Sequence, residues 1–236
     1  MKLTENIKKF GKNILDLVFP ISCLACGLEQ THLCASCQTK LNRVEKQACI
    51  ACQQPAPFGK THPNCLTKNI VDGALCALSY KDKNVERVIE AFKYNFVSEL
   101  SKPLAELMME TVRRQELSDY FKDFIIIPVP LHPRRFNWRG FNQAELLIQS
   151  LSERLNIPQD LKLVIRSKFT QPQVKLSAEE RKRNLNNAFT VLGNPAGKKI
   201  LIVDDVITSG STINELAKIL KRSGANEVWA LCAAHG

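Results

Sequence analysis

Two sets of residues in this 236-residue chain have types and spacings suited to chemistry. The first is a run of sulfur ligands. Cys23, Cys26, Cys34, Cys37, Cys49, Cys52 and Cys65 form three CxxC pairs and a single, placing seven of the nine cysteines in the first 65 residues. Disulfides could use the same residues, but a CxxC pair sets two thiolates on one tight turn, which suits a tetrahedral zinc ion in a reducing compartment. Seven ligands are one short of two complete sites, and His62 stands three residues before Cys65. The sequential grouping is Cys23, Cys26, Cys34 and Cys37 in one site and Cys49, Cys52, His62 and Cys65 in the other; a crossed grouping of the same eight stays open. Sites closed by four protein ligands are structural rather than catalytic, so two structural Zn2+ ions are expected. Residues 22–70 need them: Leu24, Leu33, Leu41, Val44, Ile50 and Phe58 are too scattered to build a core, and metal binding would supply the folding energy.

The second set is KILIVDDVITSGST at 199–212. Four aliphatics deliver two adjacent carboxylates, Asp204 and Asp205, and packing alone gives no reason for them. Thr208, Ser209, Gly210, Ser211 and Thr212 follow at once and run into a helical stripe of Ile213, Leu216, Ala217 and Leu220. The unpaired N–H groups and positive dipole end of that helix suit a phosphate, which small side chains let approach and hydroxyls help hold. Two acids touching the same anion would repel it. They suit sugar hydroxyls or a bridging Mg2+, and the implied ligand is a ribose phosphorylated at its 5′ position.

These residues need a scaffold, and the pattern after residue 70 supplies one. Residues 74–80, 124–129, 161–165, 188–192, 199–203 and 227–233 read as strands. Between them Val85, Val88, Ile89 and Phe92, then Leu100, Leu104, Leu107 and Met108, then Ala144, Leu147, Ile148, Leu151 and Leu155 recur at helical spacing. Strands alternating with helices predict an α/β fold, a mostly parallel sheet with flanking helices. A strand at 200–203 that is aliphatic without alternation reads as central and buried on both faces, and its carboxyl end is where such sheets bind ligands. The expected organisation is an N-terminal helix and double zinc module over 1–70 and an α/β domain over 71–236.

The formal net charge is +10. Basic residues outnumber acidic ones by nine to four in residues 1–70 and by eleven to five in 128–183, while 81–123 is balanced. Localised basicity points to an anionic partner. The apolar stretch ILDLVFPI at 14–21 is too short for a membrane span and carries Asp16, so neither a span nor a secretory signal is expected and the protein reads as cytoplasmic. The N-terminal stripe of Ile7, Phe10, Ile14, Leu15 and Val18 is expected to pack on the protein itself.

VDDVITSGST at 203–212 resembles the ribose-phosphate loop of type I phosphoribosyltransferases. VPLHPRRFNWRGFNQAELL at 129–147, with the upstream CxxC pairs from FPISCLACG at 19–27, is similar to the ComF family of competence proteins. That resemblance implies a zinc ribbon joined to a phosphoribosyltransferase-type domain that binds phosphoribosyl pyrophosphate with Mg2+. By resemblance, residues 128–139 are the pyrophosphate loop, stiffened by Pro128, Pro130 and Pro133 and presenting Arg134 and Arg135, with Arg139 nearby. The polar segment 166–189 matches the hood loop, where Lys168, Thr170, Gln173, Arg181 and Arg183 fit in type and place. The family implies a factor for natural transformation that handles incoming single-stranded DNA, with Trp138, Phe136 or Phe141 as stacking partners. A phosphoribosyltransferase acting on a base or amine, and a zinc-module adaptor that docks another protein of DNA uptake, are the competing readings. No acceptor site or catalytic residue is identified from the sequence. His132 lacks an evident partner, and Cys76 and Cys232 sit in apolar strand contexts that suit inert packing.

Overall fold

The aliphatic run at 200–203 divides between two faces of a sheet, and that division organises the fold. In the computed structural model, which describes residues 21–66, 71–95, 97–168 and 188–236, the strands are β1 (Gly73–Ser79), β2 (Phe124–Pro128), β3 (Val164–Arg166), β4 (Phe189–Val191), β5 (Lys199–Ile207) and β6 (Glu227–His235). The helices are α1 (Ala35–Lys40), α2 (Pro63–Leu66), α3 (Lys83–Tyr94), α4 (Ser101–Arg114), α5 (Pro133–Arg139), α6 (Gln143–Leu155) and α7 (Ser211–Arg222). Four strands form one sheet in the order β1-β6-β5-β2, every neighbouring pair parallel.

Because side chains alternate across a strand, Ile200 and Ile202 join Ala230, Cys232, Ile213, Leu216 and Leu220 on the α7 face. Leu201 and Val203 join Trp229, Leu231, Ile89, Leu104 and Leu147 on the face covered by α3, α4 and α6. Both faces bury apolar side chains, which explains an aliphatic run without alternation. Cys76 and Cys232 are register neighbours inside the α7-side cluster, and burial pushes the Cys76 thiol up to about 12. They pack as small apolar groups, as expected.

The sheet differs from expectation at 161–165 and 188–192. These segments form the shorter strands β3 and β4, which pair antiparallel as a separate ribbon. The free edge of β2 is already taken: Ile126 donates its N–H to Pro158 (2.9 Å) and accepts from the Asp160 N–H (3.0 Å). The stripe from Ile7 to Val18, and Thr170, Gln173, Arg181 and Arg183, lie outside the described residues. Among the described residues no helix is long and apolar enough to cross a membrane.

The cysteine-rich segment covers the other edge of the sheet, at β1. Val44 N–H donates to Ala77 O and Ser79 N–H to Asn42 O, each at 2.9 Å. The buried Gln47 side chain reads the strand as a backbone would. Its Nε2 donates to Cys76 O (3.0 Å) and its Oε1 accepts from Cys76 N–H (2.9 Å). Gly59 closes the approach at a φ of +69°, and a Cβ there would lie 2.1 Å from Ala74 O, so only glycine fits. An exposed strand edge is thereby paired and shielded.

Removing the Gln47 amide would strand a buried donor and a buried acceptor. Gln47→Ala is therefore expected to lower the unfolding free energy by about 2–4 kcal/mol, read as a shift of the urea midpoint at constant slope. A shift below about 0.5 kcal/mol would mean that water replaces the amide.

Candidate functional site: two sulfur clusters and a cation-lined cavity

The eight expected metal ligands fall into the two sequential groups. In Cys23, Cys26, Cys34 and Cys37, and again in Cys49, Cys52, His62 and Cys65, all ligand atoms lie within 4.8 Å of one another. A tetrahedral zinc with bonds of about 2.3 Å separates its sulfurs by about 3.8 Å. Cys26 Sγ and Cys34 Sγ are 3.7 Å apart, and His62 turns Nδ1 to within 3.3 Å of Cys52 Sγ. These distances match the sequential grouping.

The two knuckles repeat one local design. Gly27 N–H bonds Cys23 O at 2.8 Å and Gln53 N–H bonds Cys49 O at 2.9 Å, with Gly27 and Gln53 at φ of 78° and 60°. Burial works against charge on Cys23, but the amides of Cys34, Ala25 and Cys26 outweigh it and hold this thiol down to about 6. The amides of His62, Cys52 and Ala51 do the same for Cys49, at about 7. The fourth sulfur resists: hydrogen bonding to Cys26 and Cys34 pushes Cys37 up to about 12, and burial followed by Cys52 and Cys49 pushes Cys65 up to about 11. Sulfurs this close cannot all carry charge unless a cation lies among them, and both clusters fit structural zinc.

The acid pair opens into a cavity of about 550 Å³ at the carboxyl end of β5. Asp204, Asp205, Thr208, Thr212, Arg134 and Arg135 all line it, as does Arg139. The two acids are not equivalent. Asp205, 7% exposed, forms an ion pair with Lys93 at 3.0 Å. Burial opposes the Lys93 charge, but Asp205 and Asp204 outweigh it and raise its pKa. Burial and the neighbouring Asp205 push Asp204 up to about 7, against the pull of Lys93 and Arg166. Five cations, Lys93, Arg134, Arg135, Arg139 and Arg166, thus share the cavity wall with two carboxylates.

The small-residue loop turns through Gly210 in the left-handed region at φ of 70°, with Ser209 Oγ 2.8 Å from Ser211 Oγ and α7 starting at Ser211. A Cβ on Gly210 would come within 2.8 Å of Ile50 Cδ1. Ile50 lies in the second sulfur knuckle and is 6% exposed, so the cysteine-rich segment buttresses the back of this loop.

The comparisons with known proteins agree with this geometry. A phosphoribosyl transferase domain model matches residues 140–235, and a double zinc ribbon domain model matches residues 14–66. The "DNA utilization protein YhgH" of Escherichia coli K12 is 35% identical over 228 residues, covering 92% of this chain and 98% of that protein. "Competence protein F" of Haemophilus influenzae is 33% identical with the same coverage, and "Competence protein ComFC" of Streptococcus pneumoniae is 25% identical over 85% of this chain and 86% of that protein. The chain belongs to the ComF family of competence proteins.

Three features of this ComF-family cavity depart from the sequence reading. Residues 133–139, expected as loop, form the short helix α5: Pro133 starts it, the His132 Nδ1 accepts from Arg134 N–H (3.1 Å), and Gly140 ends it at φ of 73°. Proline at the first position and glycine just past the end are the signals that could have revealed it, and His132 gains its partner as the cap. Lys168, although described and exposed, is not among the cavity-lining residues; Ser209, Gly210 and Ser211 shape the turn without lining the cavity. Lys93 and Arg166 line it unforeseen, because a lysine ending an amphipathic helix and an arginine in a polar segment carry no local sign of the carboxylates they face.

Two outcomes are expected. Elemental analysis should find two zinc ions per chain, and Cys65→Ser should leave about one and loosen amide exchange at 208–212 through Ile50; retention of two, or unchanged exchange, would contradict the coupling. An acid whose folded pKa rises from 3.8 to about 7 binds more protons folded than unfolded, so stability declines as pH climbs through that window. Asp204→Asn should therefore gain thermal stability relative to the parent at pH 8 and not at pH 4, the facing groups Asp205, Lys93 and Arg166 being common to both proteins. A gain independent of pH would contradict the raised carboxyl.

Proposed function

We propose that this ComF-family protein is a cytoplasmic competence factor that handles incoming single-stranded DNA and carries a phosphoribosyltransferase-type site for phosphoribosyl pyrophosphate or a related phosphoribosyl ligand. The observation that carries the reading is the meeting, in one cavity, of the acid pair, the hydroxyls of Thr208 and Thr212, and the arginines of α5. The start of α7 offers N–H groups and a positive dipole end to a 5′-phosphate, with Thr208 and Thr212 facing it and Ser209, Gly210 and Ser211 forming the turn that sets those groups in place. Asp204 and Asp205 then face ribose hydroxyls or Mg2+. Asp204 and Asp205 would hold such a cation, and its charge would offset the burial and repulsion that keep the Asp204 carboxyl protonated, lowering its pKa. Arg134 and Arg135 suit a diphosphate bidentately, and Lys168, Arg181 and Arg183 are assigned to a hood over the ligand.

The cysteine-rich module at 1–70 and the basic loops within 128–183 are assigned to DNA phosphates, in keeping with the names of the relatives and the net charge of +10. The phosphoribosyl-binding unit is taken as 71–236.

The decisive measurement is binding of an oligothymidylate and of phosphoribosyl pyrophosphate with Mg2+ to the full chain. DNA affinity should fall steeply and log-linearly with salt. The double substitution Asp204→Ala with Asp205→Ala should weaken phosphoribosyl pyrophosphate at least tenfold while DNA binding persists. A flat salt response would remove the DNA assignment, and phosphoribosyl pyrophosphate binding indifferent to the acid pair would remove the ligand assignment. Release of pyrophosphate with some added base or amine would make the protein a transferase.

A further inference from the structure

One carboxylate of the cavity is matched by a protein cation before any ligand arrives. Lys93, in the last turn of α3, sets its Nζ 3.0 Å from Asp205 Oδ1, and the two side chains are only 17% and 10% exposed. The lysine is held by its surroundings: Phe92 beside it is fully buried, and the Lys93 carbonyl accepts from Gln143 Nε2 at 3.4 Å. Asp204 is engaged differently, accepting from the Asp205 N–H at 2.9 Å. Both partners of the ion pair line the cavity together with Asp204. A pair that served stability alone would have no reason to face that space.

The chemistry of the five wall cations is divided. Four are arginines, whose planar guanidinium matches the paired oxygens of a phosphate or diphosphate. Among the described residues that line the cavity, Lys93 is the one lysine. Its ammonium is a compact, strongly hydrated point charge, the side-chain group nearest in character to a metal ion. It also stands where a metal would be sought, against an acid pair at the end of a buried strand. A divalent cation bonded to Asp205 would stand next to that ammonium, and like charges in a partly buried site repel strongly. Sugar hydroxyls bring no net charge. They can donate to a carboxylate that the lysine already holds in one orientation, since an ionised carboxylate accepts several hydrogen bonds at once.

We infer that Lys93 is a resident cation at the sugar end of the cavity, a positioning residue that holds Asp205 as an acceptor for ring hydroxyls and keeps divalent cations off the empty acid pair. A sugar monophosphate then binds without a divalent cation. Mg2+ joins the acid pair only when a ligand brings further oxygens of its own to offset the repulsion, as a diphosphate does. This rests on the phosphoribosyl reading for the identity of the ligand, while the ion pair facing the cavity is an observation independent of it.

The test uses the full zinc-loaded chain in magnesium-free buffer, with no chelator that would strip the zinc. Mn2+ is the probe, because carboxylates take it readily and the paramagnetic resonance signal of the free ion falls as it binds. The parent chain should show no Mn2+ site that depends on Asp205, and calorimetry should give ribose 5-phosphate the same affinity with and without added Mg2+. Lys93→Gln should create an Mn2+ site at least about tenfold tighter than any in the parent, because the repelling charge is gone. Asp205→Asn in that background should abolish the new site, and ribose 5-phosphate should now bind more tightly when Mg2+ is added. If Lys93→Gln does not fold, Lys93→Met, which keeps the apolar stem, takes its place. An Asp205-dependent Mn2+ site in the parent, ribose 5-phosphate binding to the parent that requires Mg2+, or a neutral variant that gains no Mn2+ site overturns the inference. If ribose 5-phosphate binds neither with nor without Mg2+ while the neutral variant gains the Mn2+ site, the role of Lys93 stands and the phosphoribosyl reading falls.

Discussion

Placing two carboxylates at the end of a strand buried on both faces is the costly step in this molecule, and the surrounding structure answers that cost. Burial penalises both charges, and their adjacency adds repulsion. Lys93, reaching from the end of α3, neutralises Asp205 at 3.0 Å and leaves Asp204 pushed up to about 7. One acid is thereby held by a lysine and the other is left responsive to protons and cations. Arg166, itself held down to about 10 by burial and by Arg135, adds positive potential from the β3–β4 ribbon. The cavity is therefore an electrostatic balance drawn from four separate stretches of chain.

The cysteine-rich segment belongs to this balance rather than standing apart from it. Its backbone and the Gln47 side chain occupy the β1 edge, and its second knuckle presses Ile50 against Gly210. A loop of small hydroxyl residues has little packing of its own to keep its N–H groups in place. Seating it on a knuckle held by four ligands provides rigidity without placing bulk in the cavity. Arg43 adds a link to α4 through Glu110 at 3.0 Å. The segment thus covers a strand edge, braces the loop and contributes positive charge.

α5 shows how short elements direct chemistry. With no buried residue of its own, it is held by proline at its start, the His132 cap and a left-handed glycine at its end. It carries Arg134, Arg135, Trp138 and Arg139 to one side of the cavity, and it continues into α6 through Asn142, which caps that helix at Ala144 N–H (3.1 Å) and donates to Val129 O (3.2 Å). Backbone caps rather than hydrophobic burial therefore aim the arginines.

Local signals determined much of this protein. The CxxC spacing with His62 named the eight ligands, because ligands bridged by a tight turn need only a few residues of chain to converge, while their grouping into two sets of four came from the tertiary structure. The order of strand, acid pair, small loop and helix at 199–220 located the cavity, since each step is encoded in consecutive residues. The tertiary structure alone decided what arrives from elsewhere. Lys93 finds Asp205 across more than a hundred residues, Ile50 meets Gly210, Gln47 pairs with Cys76, and Tyr94 stands beside Trp138. It also sent β3 and β4 out of the sheet, because residues 158–160 had already taken the β2 edge. Periodicity reports whether a side chain is buried; which charge or ring it meets depends on how helices cross a sheet, and no stretch of consecutive residues records that.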